Sequence, residues 1–296
     1  MTNLTLCILA AGMGSRYGWL KQIDGFGPHN EAIIEYSIYD AIKAWFTKVV
    51  IVIKKDIEEI FKNKFRDTFL DKIQIEFAYQ DLDVSQYRYQ TPSDRVKPRW
   101  TAHAAMTAAP YIDWPFVVIS ADDYYGPGMM NLITNNMNHI PDHGGFIVCY
   151  CLKNTLSDFW WVNRGACQIE DGKLVSIQEH LKITRDPIDH ILRDQDDIVL
   201  DENTPVTMLS YCFQKDFLDT AAQMFQQFLD NKPGLTDEFF LPVVVDYMMK
   251  QQGATFEVLM SQDQRAGVTN PDDKSLVQKH FSTLVSQGIY PDHLWS

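Results

Sequence analysis

The chain has 296 residues, of which 46% are hydrophobic and 22% are charged, a composition that excludes disordered, collagen-like and coiled-coil proteins. Its 26 basic and 39 acidic residues give a formal net charge of −13. A surface this acidic repels phosphate backbones and anionic lipid heads, which argues against a nucleic-acid-binding or membrane-surface protein.

Short apolar runs alternate with helical patterns through the first 130 residues. Strands are predicted over residues 4–9, 49–53, 73–79 and 116–119, with helices near residues 56–65 and 101–109 between the later ones. A helix after the first strand is predicted from the spacing of Ile34, Ile38, Ala41, Ile42 and Trp45. Repeated β-α-β units of this kind predict a mainly parallel sheet with helices on both faces.

The second half of the sequence is less regular. Strands are predicted over residues 145–151, 161–169, 174–178 and 206–213, followed by helices over 215–229 and 237–251, a strand over 255–260 and a C-terminal helix over 273–286. No repeat or linker interrupts the chain. We therefore expect one continuous domain over residues 1–296 with an inserted lobe.

The apolar runs and the cysteines bear on the cellular location. Apolar runs such as residues 6–11 and 49–53 are far shorter than the ~20 residues that span a bilayer. Residues 1–12 lack a basic segment and lead into a glycine loop, so we expect a first strand rather than a secretion signal, and a cytoplasmic protein. The five cysteines are odd in number, and Cys149 and Cys151 have no matching pair for a zinc site, which favours reduced, buried thiols.

A glycine-rich segment follows the first predicted strand. Its small residues allow a sharp turn at which successive backbone N–H groups can face phosphate oxygens, and two cations come after it. The residues of this predicted phosphate site are Ala10, Ala11, Gly12, Met13, Gly14, Arg16 and Lys21.

Two other glycine motifs fit this segment poorly. A P-loop ends its glycine run in Gly-Lys-Ser/Thr, which the chain lacks. A dinucleotide fingerprint needs Gly-x-Gly-x-x-Gly and an acid at the end of the next strand. Here the glycines are Gly12, Gly14 and Gly18, and the second strand ends in Lys54 and Lys55.

The segment Leu9-Ala-Ala-Gly-Met-Gly-Ser-Arg16 resembles the opening signature of the nucleotidyltransferases that activate sugar phosphates. Lys21 occupies the signature lysine position after a shortened spacer, with Leu20 where proline is common. The resemblance implies a Rossmann-like α/β fold, a mainly parallel mixed sheet flanked by helices with a smaller substrate-side lobe. It also implies a nucleotide-binding half over about residues 1–140, a sugar-phosphate-binding half over 141–270, and a C-terminal helix and tail over 271–296.

Two adjacent carboxylates, Asp122 and Asp123, end the fourth predicted strand. The carboxyl ends of parallel strands form the ligand crevice of such a sheet, and carboxylate oxygens beside a polyphosphate suit Mg²⁺. By the resemblance, Asp122 holds the metal. Asp123 either caps the helix beginning near Gly128 or reaches the metal through water.

A second metal ligand is implied by the segment Gly267-Val-Thr-Asn270. It resembles the Gly-Val-Asn-Asn segment of N-acetylglucosamine 1-phosphate uridylyltransferases, and the carried-over ligand is Asn270. The alternative is that Asn270 caps the helix after Pro271.

The nucleobase side is implied by Trp100 and Thr101, which begin a segment resembling the family's Gly-Thr-Ala-x-Ala helix entry. Trp100 stands where relatives have glycine, so it either stacks on the base or shifts the base pocket. Gln80 matches a glutamine that binds the base edge, although a solvated strand end explains it too. His103, one turn inside the helix, is expected to be a packed or capping imidazole.

The sugar side is implied by Gly165, Glu179 and Lys182. In the family, a backbone amide at the glycine and a carboxylate on the next strand bind sugar hydroxyls, and Lys182 is placed to contact the phosphate. Glu238 belongs to a segment that also fits an ordinary helix start.

The resemblance implies in-line attack of a sugar-1-phosphate oxygen on the α-phosphorus of a nucleoside triphosphate, which gives a nucleotide sugar and pyrophosphate. Three alternatives stay open: a cytidylyltransferase acting on phosphocholine or another alcohol phosphate, a glycosyltransferase that uses a nucleotide sugar, and a non-catalytic nucleotide-binding protein. The sequence leaves the base, the acceptor and the oligomeric state open.

Overall fold

The computed structural model describes residues 3–12, 21–65, 68–69, 71–112, 115–157, 159–268 and 271–296, with the backbone alone at Trp100 and Pro271. Within this part of the chain, no helix combines the length and apolarity needed to cross a bilayer. Of the predicted site residues, Met13, Gly14, Arg16 and Asn270 lie outside the described residues.

Strands and helices alternate in the first half, and strands dominate the middle of the chain. The strands are β1 (Thr5–Leu9), β2 (Lys48–Ile53), β3 (Gln74–Tyr79), β4 (Phe116–Ser120), β5 (Asp123–Tyr124), β6 (Gly144–Cys151), β7 (Val162–Glu170), β8 (Lys173–Arg185), β9 (Leu192–Arg193), β10 (Val199–Leu200), β11 (Pro205–Thr207), β12 (Tyr211–Phe213), β13 (Thr255–Ser261) and β14 (Ala266–Gly267). The helices are α1 (Ile33–Lys43), α2 (Glu58–Phe65), α3 (Trp100–Thr107), α4 (Met129–Asn136), α5 (Asp216–Asp230), α6 (Leu241–Gln252) and α7 (Lys274–Ser286).

The main sheet has a parallel first half. Strands β3, β2, β1 and β4 are neighbours in that order and all run parallel. Strand β12 is antiparallel to β4, β6 is antiparallel to β12, and β13 pairs with β6 in parallel. The predicted α/β architecture, a mixed sheet whose core strands are mostly parallel, is confirmed.

The strand order reverses at one definite place, the position at which open α/β sheets bind ligands. From β1 the chain continues to β2 and β3 on one side, whereas β4 is added on the other side of β1. Such a reversal opens a crevice outside the carboxyl ends of the two strands. Leu9 at the end of β1 is paired with Ser120 at the end of β4, so the two ends lie level.

Apolar layers cover both faces of the sheet. Helices α3, α5 and α6 pack on one face and α1, α2 and α4 on the other. The central strands are buried on both faces, which explains their continuous apolar sequences. A smaller core, formed by Leu152, Val162, Ile183, Leu192 and Val206, holds together the lobe around β7, β8 and β9.

A third layer is formed by the C-terminal segment. Phe281 of α7 stacks on Tyr36 of α1 with ring centroids 3.9 Å apart. Beyond the helix, the buried Tyr290 hydroxyl donates to Asp40 over 2.7 Å and lies 2.6 Å from the Tyr124 hydroxyl. The C-terminal stretch thus packs against α1 and β5.

Two predicted helices differ from the structure at their ends. Helix α1 ends at Lys43, and Trp45, which fitted the helical spacing, has a φ of 65° and is 79% exposed. Helix α6 begins at Leu241, four residues later than predicted, so Glu238 precedes it. In both cases an apolar loop residue continued the helical spacing, and apolar spacing alone does not mark the residue at which a helix begins or ends.

Candidate active site

Lys21 and Asp122 meet at the crevice between β1 and β4. Lys21 opens a short 3₁₀ helix, Lys21–Ile23, and its ammonium group forms an ion pair with the Asp122 carboxylate. The ammonium group also donates to the carbonyl of Val268 over 3.2 Å. The hydroxyl of Ser120, the last residue of β4, donates to Asp122. Two predicted site residues that are 101 positions apart in the sequence therefore lie in direct contact.

The electrostatics of Asp122 favour its ionised form. Burial by itself opposes ionisation, but the charge and hydrogen bond of Lys21, together with the hydrogen bond from Ser120, lower the pKa of Asp122 below its ordinary value. The carboxylate is therefore charged at neutral pH, as a metal ligand must be.

The start of the glycine loop lies at the same edge. The backbone N–H of Ala10 donates to the carbonyl of Val52 over 2.8 Å, which continues the β1–β2 pairing. The Gln22 side-chain amide donates to the carbonyl of Gly12 over 2.5 Å and so joins the loop to the segment that carries Lys21. The Gln22 side-chain oxygen is buried and accepts no hydrogen bond from the described residues. Ala10 and Ala11 are buried, and Gly12 is exposed.

Asp123 has a different partner from those expected. Its carboxylate accepts a hydrogen bond from Arg265 Nε over 2.7 Å and forms an ion pair with the same guanidinium. The cap of α4 is instead Asp263, whose carboxylate accepts the Gly128 N–H over 3.0 Å. The predicted capping role of Asp123 is therefore wrong, because β5 pairs with β14 and turns this carboxylate towards Arg265.

The pairing of β5 with β14 also brings the segment that begins at Gly267 beside Asp122. The backbone N–H of Val268 donates to the carbonyl oxygen of Asp122 over 3.4 Å. Val268 lies two positions before Asn270 in the sequence. The described donor set consists of hard oxygen atoms, the ligands that Mg²⁺ prefers, and the ionised Asp122 fits that ion. Both carboxylates of the pair have a cationic partner, Lys21 for Asp122 and Arg265 for Asp123.

The predicted base-side residues cluster at the end of β3 and the start of α3. Gln80 is buried, and its amide nitrogen lies 3.2 Å from His103 Nδ1. The His103 ring stacks on Phe225 with centroids 4.7 Å apart, and burial lowers its pKa to about 4, so the imidazole is neutral. The hydroxyl of Thr101 accepts the N–H of Leu241 over 2.9 Å and thereby caps α6.

The predicted acceptor-side residues face each other on neighbouring strands. Gly165 of β7 is paired with Glu179 of β8. A Cβ atom at Gly165 would lie 2.7 Å from Ile177 Cγ2 and 3.2 Å from Thr207 Cγ2, so a side chain at this position would crowd both neighbours. Desolvation by the surrounding strands raises the pKa of Glu179. Lys182 lies further along β8, exposed, and its backbone N–H donates to the side chain of Asn163 over 2.9 Å.

Three residues near these groups were missed by the sequence reasoning. Arg265 directly precedes the segment that resembles a metal-ligand motif, and this neighbourhood was the available signal. The hydroxyls of Thr207 and Tyr211 are both buried. Thr207 is paired with Gly165, but a threonine or tyrosine within an apolar strand gives no sequence signal for a site.

Arg164, next to Gly165, has a structural role. Its guanidinium donates to the Thr155 hydroxyl over 3.0 Å and to the Asn163 carbonyl over 2.7 Å. Burial lowers its pKa to about 9. The backbone N–H of Arg265 donates to the carbonyl of Asn154 over 3.0 Å. Both arginines are therefore hydrogen-bonded to the turn Leu152–Thr155 that follows β6.

Comparison with known proteins gives structural matches only. No protein-family model and no curated protein sequence matches the chain. A protein assigned as a glucose-1-phosphate thymidylyltransferase from Bacillus anthracis, solved with sucrose, superposes with a TM-score of 0.66 at 14% identity, covering 94% of this chain and 95% of that one. The inositol-1-phosphate CTP transferase of T. maritima gives 0.62 at 12% identity over 95% and 96% of the two chains. A UDP-glucose pyrophosphorylase complexed with UDP-glucose gives 0.63 at 15% identity over 96% and 99%.

The likeness extends over nearly the whole length of each chain. At 12–15% identity it establishes a common architecture, which is the fold that the sequence resemblance implied. The chain has the fold of the sugar-phosphate nucleotidyltransferases.

Proposed function

We propose that this protein is a Mg²⁺-dependent nucleotidyltransferase that couples a nucleoside triphosphate to a sugar 1-phosphate and releases a nucleotide sugar and pyrophosphate. The observation that carries the proposal is the contact of Lys21 with Asp122 at the crevice between β1 and β4, where the glycine loop begins. Structural neighbours with this fold carry the names of enzymes that act on sugar or alcohol phosphates.

The proposed reaction needs no general base. A phosphate monoester already has a nucleophilic oxyanion, so catalysis rests on positioning and on neutralising charge at the reacting phosphorus. Lys21 would supply one positive charge there. Arg16 and the backbone N–H groups from Ala10 to Gly14, Met13 included, would hold the triphosphate.

Asp122, with Asn270, would hold the metal. A bound Mg²⁺ supplies Lewis-acid stabilisation of the phosphoryl oxygens. Lys21 would then have two roles. It favours the ionised form of Asp122, and it would lie beside the phosphates.

The nucleotide would occupy the half of the chain over about residues 1–140, with Gln80, Trp100 and Thr101 at the base. Since His103 is neutral and stacked on Phe225, we assign it to positioning Gln80 rather than to proton transfer. The Gln80 amide is thereby held in place directly after the carboxyl end of β3.

The acceptor would occupy the half over about residues 141–270, at Gly165 and Glu179, with Lys182 on the phosphate. The Glu179 carboxylate would bind hydroxyls of the acceptor. Polyol phosphates share this chemistry with sugars, and one structural neighbour is named for inositol 1-phosphate. An alcohol-phosphate cytidylyltransferase is therefore the second candidate.

The test is a matrix of five nucleoside triphosphates against sugar 1-phosphates and alcohol phosphates, with pyrophosphate release measured with Mg²⁺ and again with EDTA. We expect one pairing to give turnover that EDTA abolishes. Triphosphate binding without pyrophosphate from any acceptor would contradict the proposal and indicate a non-catalytic protein. Release of nucleoside diphosphate from a nucleotide sugar would indicate a glycosyltransferase instead.

Asp122→Asn tests the metal assignment within the active pairing. The amide keeps the size of the side chain but loses the charge that the metal needs, so we expect turnover to fall by about 10²–10³ with the melting temperature near that of the wild type. Asp171→Asn, in the exposed turn between β7 and β8, is the matched control and keeps full turnover. Normal turnover in Asp122→Asn would exclude the proposed role.

A further inference from the structure

Two histidines and an aspartate that are not among the predicted site residues come together on the surface. His29 lies in the loop before α1, and Asp292 and His293 lie in the C-terminal tail. One ligand atom from each of the three residues lies within 4.8 Å of the other two. The His29 and His293 rings are stacked with centroids 3.8 Å apart. Within the described residues, this is the one cluster of three or more such groups that are close enough to share an ion.

The distances suit a small metal ion. His29 Nε2 lies 3.4 Å from Asp292 Oδ2, and His293 Nε2 lies 3.7 Å from the same oxygen. Tetrahedral zinc with ligands at about 2.0–2.1 Å places its ligand atoms about 3.3 Å apart. Because the rings are stacked at an interplanar angle of 25°, each must turn for its nitrogen lone pair to face a shared ion. Both side chains are largely exposed, and the χ2 torsion of histidine is soft.

We propose that His29, Asp292 and His293 form a site for a zinc-type transition-metal ion that fastens the C-terminal tail to the loop before α1. Imidazole nitrogens select zinc, nickel or copper over magnesium, which prefers oxygen ligands. Three protein ligands leave the fourth tetrahedral position to water.

Contacts beside the cluster hold its two segments together without a metal. Lys274 at the start of α7 donates to the Asp24 carboxylate over 2.8 Å. Within the loop, the Glu31 carboxylate accepts the His29 N–H over 2.9 Å and orders the backbone beside that ligand. The tail is fixed two residues before Asp292 by the buried Tyr290. The ligands are therefore near one another in the folded chain, whereas in the unfolded chain more than 260 residues separate them. An ion that binds only the folded chain stabilises it.

The loop that carries His29 follows the 3₁₀ helix that presents Lys21. A metal at the cluster adds a bond between this loop and the tail. None of its three ligands is a proposed active-site residue, so we expect the metal to act on stability.

The experiment uses metal-stripped full-length protein and zinc chloride alone, with the melting temperature and calorimetric binding as readouts. At a free zinc concentration of 100 times the dissociation constant, we expect the melting temperature to rise by about 4 °C, with one ion bound per chain. The same concentration of magnesium should give no comparable rise through this site.

Variants separate this site from the others. His29→Ala and His293→Ala should each lose the zinc-dependent rise, whereas His139→Ala and His190→Ala, which remove exposed histidines elsewhere, keep it. Asp122→Asn and Cys151→Ser also keep it, because the proposed magnesium site and the one partly accessible cysteine are not involved. An unchanged zinc response in His29→Ala and His293→Ala would overturn the proposal, as would loss of the response in Asp122→Asn.

Discussion

At the scale of single residues, Lys21 links three parts of the candidate site. Its ammonium group bridges the Asp122 carboxylate and the carbonyl of Val268, and so joins the 3₁₀ helix after the glycine loop to β4 and to the late segment. The same contact lowers the pKa of Asp122, so the charge of the proposed metal ligand depends on this lysine.

Replacing Lys21 by alanine tests that dependence. We expect turnover to fall by about 10²–10³ from the loss of charge at the phosphate. A carboxylate with a lowered pKa stays ionised until the pH falls below that pKa, so losing Lys21 moves the acid limb of the pH–rate profile to higher pH. Lys274→Ala, which removes a cation that pairs with Asp24 and not with Asp122, should leave the limb in place. An acid limb that does not move in Lys21→Ala would show that Lys21 does not control Asp122.

His103 makes stability depend on pH in a defined direction. Its pKa is about 4 in the folded protein and about 6.5 when exposed, so between these values the unfolded chain binds the extra proton. Stability therefore rises with pH in this window and is lost as the pH falls from about 6.5 towards 4. Between pH 7.5 and 5.5 the loss from His103 is about 1 kcal/mol.

His103→Gln removes this titration but keeps a polar group beside Gln80. Urea unfolding at pH 7.5 and 5.5 should show a smaller fall in stability for the variant than for the wild type, by about 1 kcal/mol. Equal falls in the two proteins would mean that His103 is protonated as readily when folded as when unfolded.

At the scale of elements, the tail after α7, strand β5 and helix α1 are joined by buried polar side chains. The hydroxyls of Tyr290 and Tyr124 and the carboxylate of Asp40 form a hydrogen-bonded chain, in which burial raises the pKa of Asp40 well above its ordinary value. Tyr124 is two residues beyond Asp122. The tail therefore supports the segment that carries the proposed metal ligand.

Tyr290→Phe tests this support. Losing the hydroxyl leaves Asp40 without its donor and should cost about 1–3 kcal/mol, a fall of roughly 2–5 °C in melting temperature. Tyr247→Phe is the control, since that tyrosine of α6 has a half-buried ring and no hydroxyl contact within the described part of the chain. Equal melting temperatures for Tyr290→Phe and the wild type would show that the buried hydrogen bonds contribute nothing net.

At the scale of the whole molecule, the thiols report on packing. All five cysteines are free, and Cys7, Cys149, Cys167 and Cys212 are buried in the core around the sheet. Burial raises the pKa of Cys7 to about 12, and that of Cys212 is also raised. These thiols are therefore protected both sterically and chemically.

A thiol reagent should accordingly modify at most one cysteine in the native protein, Cys151, and all five after unfolding. The melting temperature should be the same with and without a reductant, because no disulfide contributes to stability. Rapid modification of two or more thiols in the folded protein would contradict the burial of the core strands.

The alternation of apolar strands and amphipathic helices in the sequence determined the α/β class and the placement of the glycine loop and Asp122 at strand ends. These features are local, since hydrophobic periodicity and turn residues act over a few positions. Helix ends were less well determined, as Trp45 shows, because a loop residue can continue an apolar spacing.

Only the tertiary structure decided which polar groups meet. Asp123 faces Arg265 because β5 pairs with β14, and His29 lies beside His293 because the tail folds back on α1. Likewise Thr207 and Tyr211 become buried hydroxyls only when β11 and β12 enter the sheet. Pairings across more than 100 residues depend on strand order and layer packing, which no local pattern encodes.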